Sequence, residues 1–513
     1  MYVTKRLKSS YFFTSFFWST ISKFLNAILG FISVPLLLGY FGKADYGLIA
    51  IATAWNGYVG LMDLGMNTGA VRYFSQWIAE GRKDYINNVA RTNISFYLII
   101  SLINIAILLY LAFGGERFFS VTPEQFMKLR YCFLILCVFS SISWITHAYT
   151  QLLIAYKQVS YMMIIQSILV LLRFILLGLV FLLNLSLVEY FFILTLIISI
   201  AVIPYTYKCR RQGYIDSIKP AGYWKDFKCV LSFSLALFAL SLFQLTAKNS
   251  RPIILSIFAV NGAESVTDFR IIEVIPNFII MICGTFLSIF LPKTTEIFIK
   301  ADQKEICGFV YKWTSLTTII VCVMAIPFAI GSQDIISAYV GKSSAYLSKW
   351  LAIWSVFLII QMHSTPAYSM ILSLGKTKPL VISTAVCCVI SIIVNISLCK
   401  IIPVGSAVLG YLIYLTLQTS FSYIYYYKRY LQLSRAKVLS TFFKPTILAI
   451  ITGYVVYYIN VECFISDFFE IERIQYVLNF LLKSLCWIIV YAASLFFFRV
   501  IDFRYIREVI RNK

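Results

Sequence analysis

The sequence predicts an all-α integral membrane protein of about fourteen transmembrane helices. Two pseudo-symmetric six-helix lobes would surround a central cavity, followed by two extra C-terminal helices. Three observations lead to this prediction. Hydrophobic residues make up 60% of the 513 residues, charged residues only 13%, and the mean hydropathy is +0.83. The apolar residues form continuous runs of about 20, unlike the alternating ten-residue segments of β-barrels. Lysine and arginine concentrate in alternate loops.

The apolar runs can be followed in order from the N-terminus. Helices are predicted near 11–41, 45–79, 92–113, 129–155, 159–183, 187–207, 229–258, 264–292, 312–331, 346–373, 379–400, 405–427, 445–461 and 475–498. Most of the 44 Lys and Arg lie in the loops on one side of these runs. The positive-inside rule makes that side cytoplasmic, together with both termini. The first run is too long for a cleaved signal peptide and no A-x-A site follows it, so we expect a retained helix.

Metal and cofactor chemistry has little support in the sequence. The 12 Cys are scattered, mostly inside apolar runs, and none forms a C-x-x-C pair. His147 and His363 stand apart from any Cys or carboxylate cluster. We therefore expect buried structural thiols, no metal, no cofactor and no enzyme active site. The net charge of +22 comes largely from the loops and indicates membrane orientation, not binding of nucleic acid.

Two pairs of similar segments indicate an internal duplication. AYTQLLIAYKQVSYMMIIQ from Ala148 aligns with AYSMILSLGKTKPLVISTA from Ala367, and VPLLLGYFGKADYG from Val34 parallels RPIILSIFAVNGAE from Arg251. The two offsets, 219 and 217 residues, are nearly equal. Because each copy would hold six helices, both would enter the membrane in the same direction, as in transporters with a site at the repeat interface. The expected domains are a lobe at 1–208, a basic cytoplasmic linker at 209–228, a lobe at 229–430, and helices thirteen and fourteen with a basic tail at 431–513.

Polar residues inside the spans recur at helical spacing. The stripes are Ser19, Lys23, Asn26, Gly30 and Ser33 on helix one; Gln166 and Arg173 on helix five; Ser241, Gln244, Lys248 and Arg251 on helix seven; and Arg270, Glu273, Asn277 and Gly284 on helix eight. A central Arg or Lys facing lipid costs about 3 kcal/mol. We therefore expect the stripes to converge on a hydrated interior between the lobes. Lys483 has no such stripe and is interpreted as a structural ion pair or a snorkelling side chain.

Positive charge exceeds negative charge at this depth. The candidate substrate-binding cations are Lys23, Arg72, Arg173, Lys248, Arg251 and Arg270, the last being equally compatible with a structural pair. Asn26, Asn67, Gln244 and Asn277 are the candidate polar cavity residues. Asp63 and Glu273 would either couple transport to an ion or hold neighbouring cations in place. An excess of guanidinium and ammonium groups favours cargo that carries phosphate or carboxylate.

The stretch LMDLGMNTGAVRYFSQ, residues 61–76, concentrates these features on the second helix. On a straight helix Asp63 and Arg72 would lie about half a turn out of phase. Arg72 is then expected to line the cytoplasmic half of the cavity, whereas Asp63 would face a neighbour such as Lys23. Gly65 and Gly69 are expected to permit close helix packing or bending.

The segment SVPLLLGYFGKADYGLIAIATAWNGYVGLMDLGMNTGAVRYFSQ, residues 33–76, resembles the O-antigen flippases (Wzx type) of the multidrug/oligosaccharidyl-lipid/polysaccharide (MOP) exporter superfamily. The resemblance implies translocation of an undecaprenyl-pyrophosphate-linked oligosaccharide to the outer leaflet of a bacterial cytoplasmic membrane, for assembly of O-antigen, lipopolysaccharide or capsule. It implies a lipid-linked oligosaccharide and membrane lipid as partners, with a polysaccharide polymerase and a chain-length regulator. It also implies that helices thirteen and fourteen guide the lipid tail.

Three alternatives remain open from the sequence. A flippase of the peptidoglycan precursor would differ only in cargo. A cation-coupled small-molecule antiporter of the same fold is disfavoured by the positive interior. A membrane polysaccharide polymerase or glycosyltransferase would generally need a large outer loop with catalytic carboxylates, whereas the longest outer loops, near 113–128 and 331–349, are short and carry no DxD.

Overall fold

The computed structural model describes residues 2–287, 303–363, 365–373, 378–459 and 472–500, and these residues form helices joined by short turns, with no strand in any of the five ranges. Some predicted cytoplasmic cations, including Lys293, Lys300, Lys376 and the tail beyond residue 500, lie outside the described residues. Seventeen α-helices occur in the described ranges, and eleven helical segments there are long and apolar enough to cross a membrane. The predicted all-α membrane class is confirmed, whereas the predicted count of fourteen is not.

The first half of the chain contains nine helices and two short 3₁₀ turns. They are α1 (Tyr2–Val59), a turn (Gly60–Asp63), α2 (Met66–Glu80), α3 (Lys83–Gly114), a turn (Gly115–Arg117), α4 (Pro123–Ala155), α5 (Val159–Leu182), α6 (Leu187–Ser199), α7 (Val202–Arg211), α8 (Trp224–Phe258) and α9 (Gly262–Leu287).

The second half contains eight more. They are α10 (Gln303–Ile330), α11 (Ser332–Val340), a 3₁₀ helix (Lys342–Leu347), α12 (Ser348–His363), α13 (Thr365–Ser373), α14 (Lys378–Cys399), α15 (Pro403–Phe421), a π-helical turn (Ser422–Tyr427), α16 (Arg435–Tyr458) and α17 (Glu472–Phe497).

Helix α1 joins the first two predicted spans, and a break separates them. Gly42 has φ 80° and ψ 169°, a conformation that an L-residue with a side chain rarely adopts. The predicted boundary between 41 and 45 therefore coincides with this glycine. A shift of 217 residues, the offset between the second pair of similar segments, carries Gly42 onto Ala259, the residue that directly follows α8. The two similar segments thus interrupt their helices at matching positions, which supports the duplication.

The chain divides into two compact units. Unit 1 comprises Met1–Thr267 with Cys399–Pro403, and unit 2 comprises Asp268–Leu398 with Val404–Lys513. Helix α8, placed by the sequence at the start of the second lobe, belongs to unit 1 in this division. The lobe limits at 208 and 229 therefore stay predictions.

In unit 1 the segment between α7 and α8 is fixed against α3. Arg91 Nε donates to the carbonyl oxygen of Lys219 at 3.0 Å, and Ser95 Oγ donates to that of Ala221 at 2.6 Å. The Tyr156 and Tyr214 rings stack at a centroid distance of 3.8 Å. The predicted linker at 209–228 is thus helical at both ends, and its middle is bound to the helices of its own unit.

In unit 2 the last two helices are anchored by buried polar contacts. Lys483 Nζ lies 2.7 Å from Asp334 Oδ2, and both side chains are less than one tenth exposed. Trp487 Nε1 on α17 donates to Thr452 Oγ1 on α16 at 3.1 Å. Lys483 therefore forms a structural ion pair, which was the first of its two interpretations from the sequence.

Candidate functional site

Helices α1 and α5 bring three of the candidate residues together in unit 1. Arg173 Nη2 donates to Asn26 Oδ1 at 3.0 Å, and Lys23 lies one helical turn away from Asn26 with an exposed side chain. Arg173 is half-buried, and its Nε atom is buried without a hydrogen-bond partner in the described part of the chain. The predicted convergence of helices one and five is therefore present, with an arginine that retains donor capacity.

Arg72 is exposed on α2, where that helix meets α8. Its guanidinium carbon lies 4.2 Å from the centroid of the Phe233 ring and 5.9 Å from that of Tyr73. A guanidinium stacked on aromatic rings keeps its edge donors available to a ligand. Arg72 thus has the exposure that a cargo-binding cation requires.

The two glycines of the 61–76 stretch permit the close approach of α2 to α8. A Cβ added at Gly69 would fall 1.9 Å from Ser234 Oγ, and one added at Gly65 would fall 2.6 Å from the Ser234 carbonyl oxygen. Neither position has room for a side chain. The expectation that these glycines allow close helix packing is confirmed.

The prediction of one straight helix over residues 45–79 is wrong. The 3₁₀ turn at Gly60–Asp63 is followed by Leu64 with φ 52° and Gly65 with φ 72°, both left-handed. Asp63 Oδ2 then accepts the backbone N–H of Asn67 at 3.1 Å, which satisfies one of the free donors at the start of α2. The break invalidates the half-turn relation between Asp63 and Arg72, because that relation assumed one continuous helix.

Asp63 faces Tyr97 on α3, not Lys23 as expected. Tyr97 Oη donates to Asp63 Oδ1 at 2.5 Å, Gln151 Nε2 donates to Tyr97 Oη at 2.6 Å, and Asn93 Nδ2 donates to Gln151 Oε1 at 2.6 Å. Each donor points toward the carboxylate, so this chain of hydrogen bonds ends on the Asp63 side chain. In the described ranges Asp63 forms no ion pair.

The residues that orient Asp63 were missed because most of them are uncharged. They lie on facing stripes, Asn93, Tyr97, Ser101 and Asn104 on α3 and Ser140, Trp144, His147 and Gln151 on α4. Asn104 Nδ2 donates to Ser140 Oγ at 3.1 Å, and the His147 ring lies 5.8 Å from that of Tyr97. The spacing of three and four residues within each stripe was a readable signal. A cavity of about 210 Å³ with a mixed polar and apolar lining lies between these helices, α6 and the end of α1, and Asn56, Asn104 and His147 line it.

The polar stripe on α8 is more buried than side chains that line a water-filled cavity would be. Arg251 is only 2% exposed, and its Nε donates to the Lys248 carbonyl oxygen at 3.0 Å. Gln244 and Lys248 are half-buried. In this conformation Arg251 is a packed interior residue, which differs from the exposed cavity cation that the sequence predicted.

In unit 2, the candidate charges of α9 pair locally. Arg270 Nη1 lies 2.6 Å from Glu273 Oε2, one turn further along the helix. Asn277, on the next turn, is half-buried. Asp268 is a buried carboxylate that was not among the predicted site residues. It accepts a hydrogen bond from Tyr346 Oη at 2.7 Å. This ion pair is the contact expected of the second predicted role of Glu273, holding a neighbouring cation, and its role in transport stays a prediction.

A second close helix contact in unit 1 lies at the opposite end of the second predicted span. A Cβ added at Gly47 would fall 2.0 Å from the Ala263 carbonyl oxygen, and Thr267 Oγ1 donates to the Lys43 carbonyl oxygen at 2.7 Å. Ser120 N also donates to the Ser256 carbonyl oxygen at 3.0 Å. The segment beside the Gly42 break thus contacts the start of α9 through Gly47 and the Thr267 side chain, and the α3–α4 connection is hydrogen-bonded to the end of α8.

Comparison with solved structures identifies the same fold in known transporters. The lipid II flippase MurJ in an inward closed conformation matches with a TM-score of 0.69 at 16% identity, over 94% of this chain and 98% of that chain. An inward-facing multidrug resistance MATE transporter of the MOP superfamily matches with a TM-score of 0.62 at 13% identity, over 81% and 95%. A MOP superfamily transporter from Pyrococcus furiosus, described as having a binding pocket of reverse polarity, matches with a TM-score of 0.51 at 14% identity, over 84% and 94%.

Comparison of the sequence with known protein families identifies the family of the chain. No curated protein matches the chain. The model of the family described as "Polysaccharide biosynthesis protein" matches residues 12–298, more than half of the sequence. The chain therefore belongs to the polysaccharide biosynthesis protein family and has the MurJ- and MATE-like fold of the MOP superfamily transporters and flippases.

Proposed function

We propose that the protein is a flippase that moves an undecaprenyl-pyrophosphate-linked oligosaccharide from the cytoplasmic to the outer leaflet of a bacterial inner membrane. The product would supply O-antigen, capsule or another surface polysaccharide. The observation that carries the proposal is the set of cations in unit 1. Lys23, Arg72 and Arg173 sit on helices of a membrane protein, and none of them pairs with a carboxylate in the described ranges.

Pyrophosphate is the cargo group that best matches these cations. Arginine offers a planar fork of donors that binds phosphate oxygens bidentately, and lysine adds a point charge. Arg72 is exposed over an aromatic ring, and Arg173 retains a buried donor. Charges on membrane-spanning helices are costly toward lipid, so they generally face a partner or a water-filled cavity and mark substrate pathways. The glycan would occupy the hydrated interior while the isoprenoid tail remains in the bilayer, guided by α16 and α17.

The membrane potential provides a driving force for this direction. In a cell with a negative interior, moving an anion outward gains about 2.3 kcal/mol per charge per 100 mV. Of the two candidate coupling residues, Asp63 is held by Tyr97 and Glu273 by Arg270. These contacts favour a positioning role for both carboxylates, so the proposed cycle needs no coupling ion.

Alternating access requires helices that separate and close again. The contacts of Gly47 with Ala263, and of Gly65 and Gly69 with Ser234, join smooth surfaces without interlocking side chains. Such surfaces can part without withdrawing a side chain from a pocket. We propose that the Gly47 contact closes the outer end of the pathway and that the Gly65–Gly69 contact closes the inner half.

Deletion of the gene tests the proposed function. A deletion strain should lose its surface glycan and accumulate the lipid-linked oligosaccharide on the cytoplasmic face, and the wild-type gene should reverse both effects. Variants at Lys23, Arg72 or Arg173 should be expressed without restoring glycan. Normal surface glycan in the deletion strain would contradict the proposal. Direct interaction with a polymerase and a chain-length regulator would be tested in the same strain by crosslinking.

The peptidoglycan precursor is the second candidate cargo. It is favoured by the structural similarity to the lipid II flippase over nearly the whole chain. It shares the lipid pyrophosphate that the cations would bind. Rescue of a strain depleted of its lipid II flippase, together with normal surface glycan after deletion, would select this cargo. A cation-coupled antiporter of the same fold would instead export cationic dyes from intact cells.

A further inference from the structure

Unit 2 contains a groove beside α16, one of the two helices proposed to guide the cargo's lipid tail. It lies between α12, α15 with its π-helical extension, and α16, and has a volume of about 360 Å³. This lies near the lower end of the range of ligand pockets, roughly 300–1,000 Å³. The lining includes Ile360, Thr419, Tyr423, Leu439, Phe442 and Phe443. None of the candidate cargo cations lines it.

The inner wall of the groove is apolar because its polar groups bond to each other. His363 Nδ1 lies 2.8 Å from the Ile360 carbonyl oxygen, which can only accept, so Nδ1 donates. His363 Nε2, 2.8 Å from Tyr423 Oη, then accepts the phenol proton. The His363 ring also lies 4.5 Å from that of Phe442. The wall therefore presents rings and methyl groups to an occupant and suits a hydrocarbon chain.

The rim of the groove is basic. Arg435 lines it with an exposed side chain that also donates to the Ile424 carbonyl oxygen. Lys428, Arg429 and Lys437 are exposed on the same short stretch of chain. The sequence contains no Asp or Glu from residue 335 to residue 461. No carboxylate from the segments that form the groove can therefore neutralise this rim.

The backbone beside the rim departs from regular helix. Ser422–Tyr427 form a π-helical turn, which widens the helix where α15 ends. Such turns are frequent at functional sites. Ile424, within the turn, is 63% exposed, and Phe443, across the groove, is 48% exposed. The groove is thus open along its side and basic at one end.

We propose that this groove binds an anionic membrane phospholipid, with an acyl chain along the apolar wall and the phosphate at Arg435. Basic residues beside grooves between transmembrane helices recognise anionic headgroups, and an apolar wall adds acyl-chain contact. An apolar groove whose basic rim forms no ion pair within the described ranges fits a lipid that is both anionic and amphipathic. None of the proposed cargo cations lines the site, so the headgroup bound there would belong to a resident lipid. Because α16 is also proposed to guide the cargo's tail, competition with undecaprenyl phosphate distinguishes the two occupants.

Native mass spectrometry of the full-length protein in detergent tests the proposal. The protein is titrated separately with 1-palmitoyl-2-oleoyl-phosphatidylglycerol and with the phosphatidylcholine of the same chains. Wild type should retain the anionic lipid preferentially. Arg435→Gln should reduce its retention about fivefold. Ser420→Phe, which places a ring at an exposed position of the groove, should reduce retention of both lipids.

Arg211→Gln is the matched control. Arg211 is another exposed arginine beside a tyrosine, with Nη1 3.3 Å from Tyr207 Oη, and it does not line the groove. This variant should bind like wild type, and all variants should elute as single species with similar melting temperatures. Equal retention of the two lipids by wild type, or unchanged retention in both groove variants, would overturn the proposal. So would displacement of the phosphatidylglycerol by an equimolar amount of undecaprenyl phosphate, which would assign the groove to the cargo lipid.

Discussion

Arg72 and Arg82 lie ten residues apart in sequence, and both stack on aromatic rings, yet their surroundings differ. Arg82 lies 3.9 Å from the Tyr85 ring and pairs with Glu80 at 3.5 Å. Arg72 lies over Phe233 and has no carboxylate partner in the described ranges. Only Arg72 therefore has its charge available for an anionic cargo. The two residues form a natural pair for comparison.

We predict that Arg72→Gln lowers flipping by about tenfold or more at normal protein level, because a hydrogen bond to a charged group contributes roughly 1.5–3 kcal/mol. Arg82→Gln removes the same charge and should retain nearly full activity. Surface glycan per molecule of protein gives the comparison. Equal losses in the two variants would show that position 72 contributes only general surface charge.

Tyr97 holds the Asp63 carboxylate in place through a hydrogen bond. Tyr97→Phe removes the partner of Asp63 Oδ1 and of Gln151 Nε2 while their other hydrogen bonds remain, and an unsatisfied buried group costs about 1–3 kcal/mol. We predict a lowered melting temperature with flipping retained at low temperature. Tyr110→Phe, on the exposed side of the same helix, should leave both unchanged. Loss of flipping at an unchanged melting temperature would instead assign Asp63 to ion coupling.

At the scale of helices, α2 and α8 touch through Gly69 and Ser234. A methyl group at Gly69 would overlap Ser234 Oγ, and the Ser234 side chain is fully buried. We predict that Gly69→Ala destabilises the protein by about 1–3 kcal/mol, as overpacking usually does. The double variant Gly69→Ala with Ser234→Gly should recover part of the loss. Gly57→Ala is the control, because a Cβ there meets nothing within 4 Å. A similar melting temperature for all variants would refute the close contact.

Helix α17 is held to unit 2 through Lys483 and Asp334. Removing one member leaves the other charge buried, which costs about 3–5 kcal/mol. We predict that Lys483→Met lowers the melting temperature strongly and that adding Asp334→Leu restores much of the loss. Thermal unfolding in detergent measures both. A melting temperature of Lys483→Met equal to that of wild type would show that the ion pair contributes nothing.

Individual elements differed in how far the sequence could predict them. The helix boundary near Gly42 followed from the limits of the apolar runs, and the tight packing at Gly65 and Gly69 followed from the glycines themselves; both are local signals. The break at Leu64 did not, because a leucine with positive φ is stabilised by its surroundings rather than by its own preference. The partner of Asp63 was also misassigned, since charge alone suggested a lysine whereas the actual donor is a tyrosine on another helix.

At the scale of the whole molecule, the membrane class was predictable because composition and hydropathy extend along the entire chain, and the family was predictable because residues 33–76 resemble it. The candidate cations were predictable only as a set. Their individual environments depend on helix rotation, which separates the exposed Arg72 from the buried Arg251 although both lie in polar stretches. Sequence periodicity indicates a polar helix face and leaves open which neighbour that face meets.

Reconstituted flipping tests the central claim most directly. Purified protein is placed in vesicles that contain a fluorescent undecaprenyl-pyrophosphate oligosaccharide, and a potassium-valinomycin potential of either sign is applied without proton or sodium gradients. Cargo should move toward the positive side and faster with increasing potential, by a factor of up to about tenfold per 59 mV for each net charge moved. Arg72→Gln should lose this movement. Movement that is independent of the potential and of Arg72, or that requires a proton or sodium gradient, would contradict a potential-driven anion pathway.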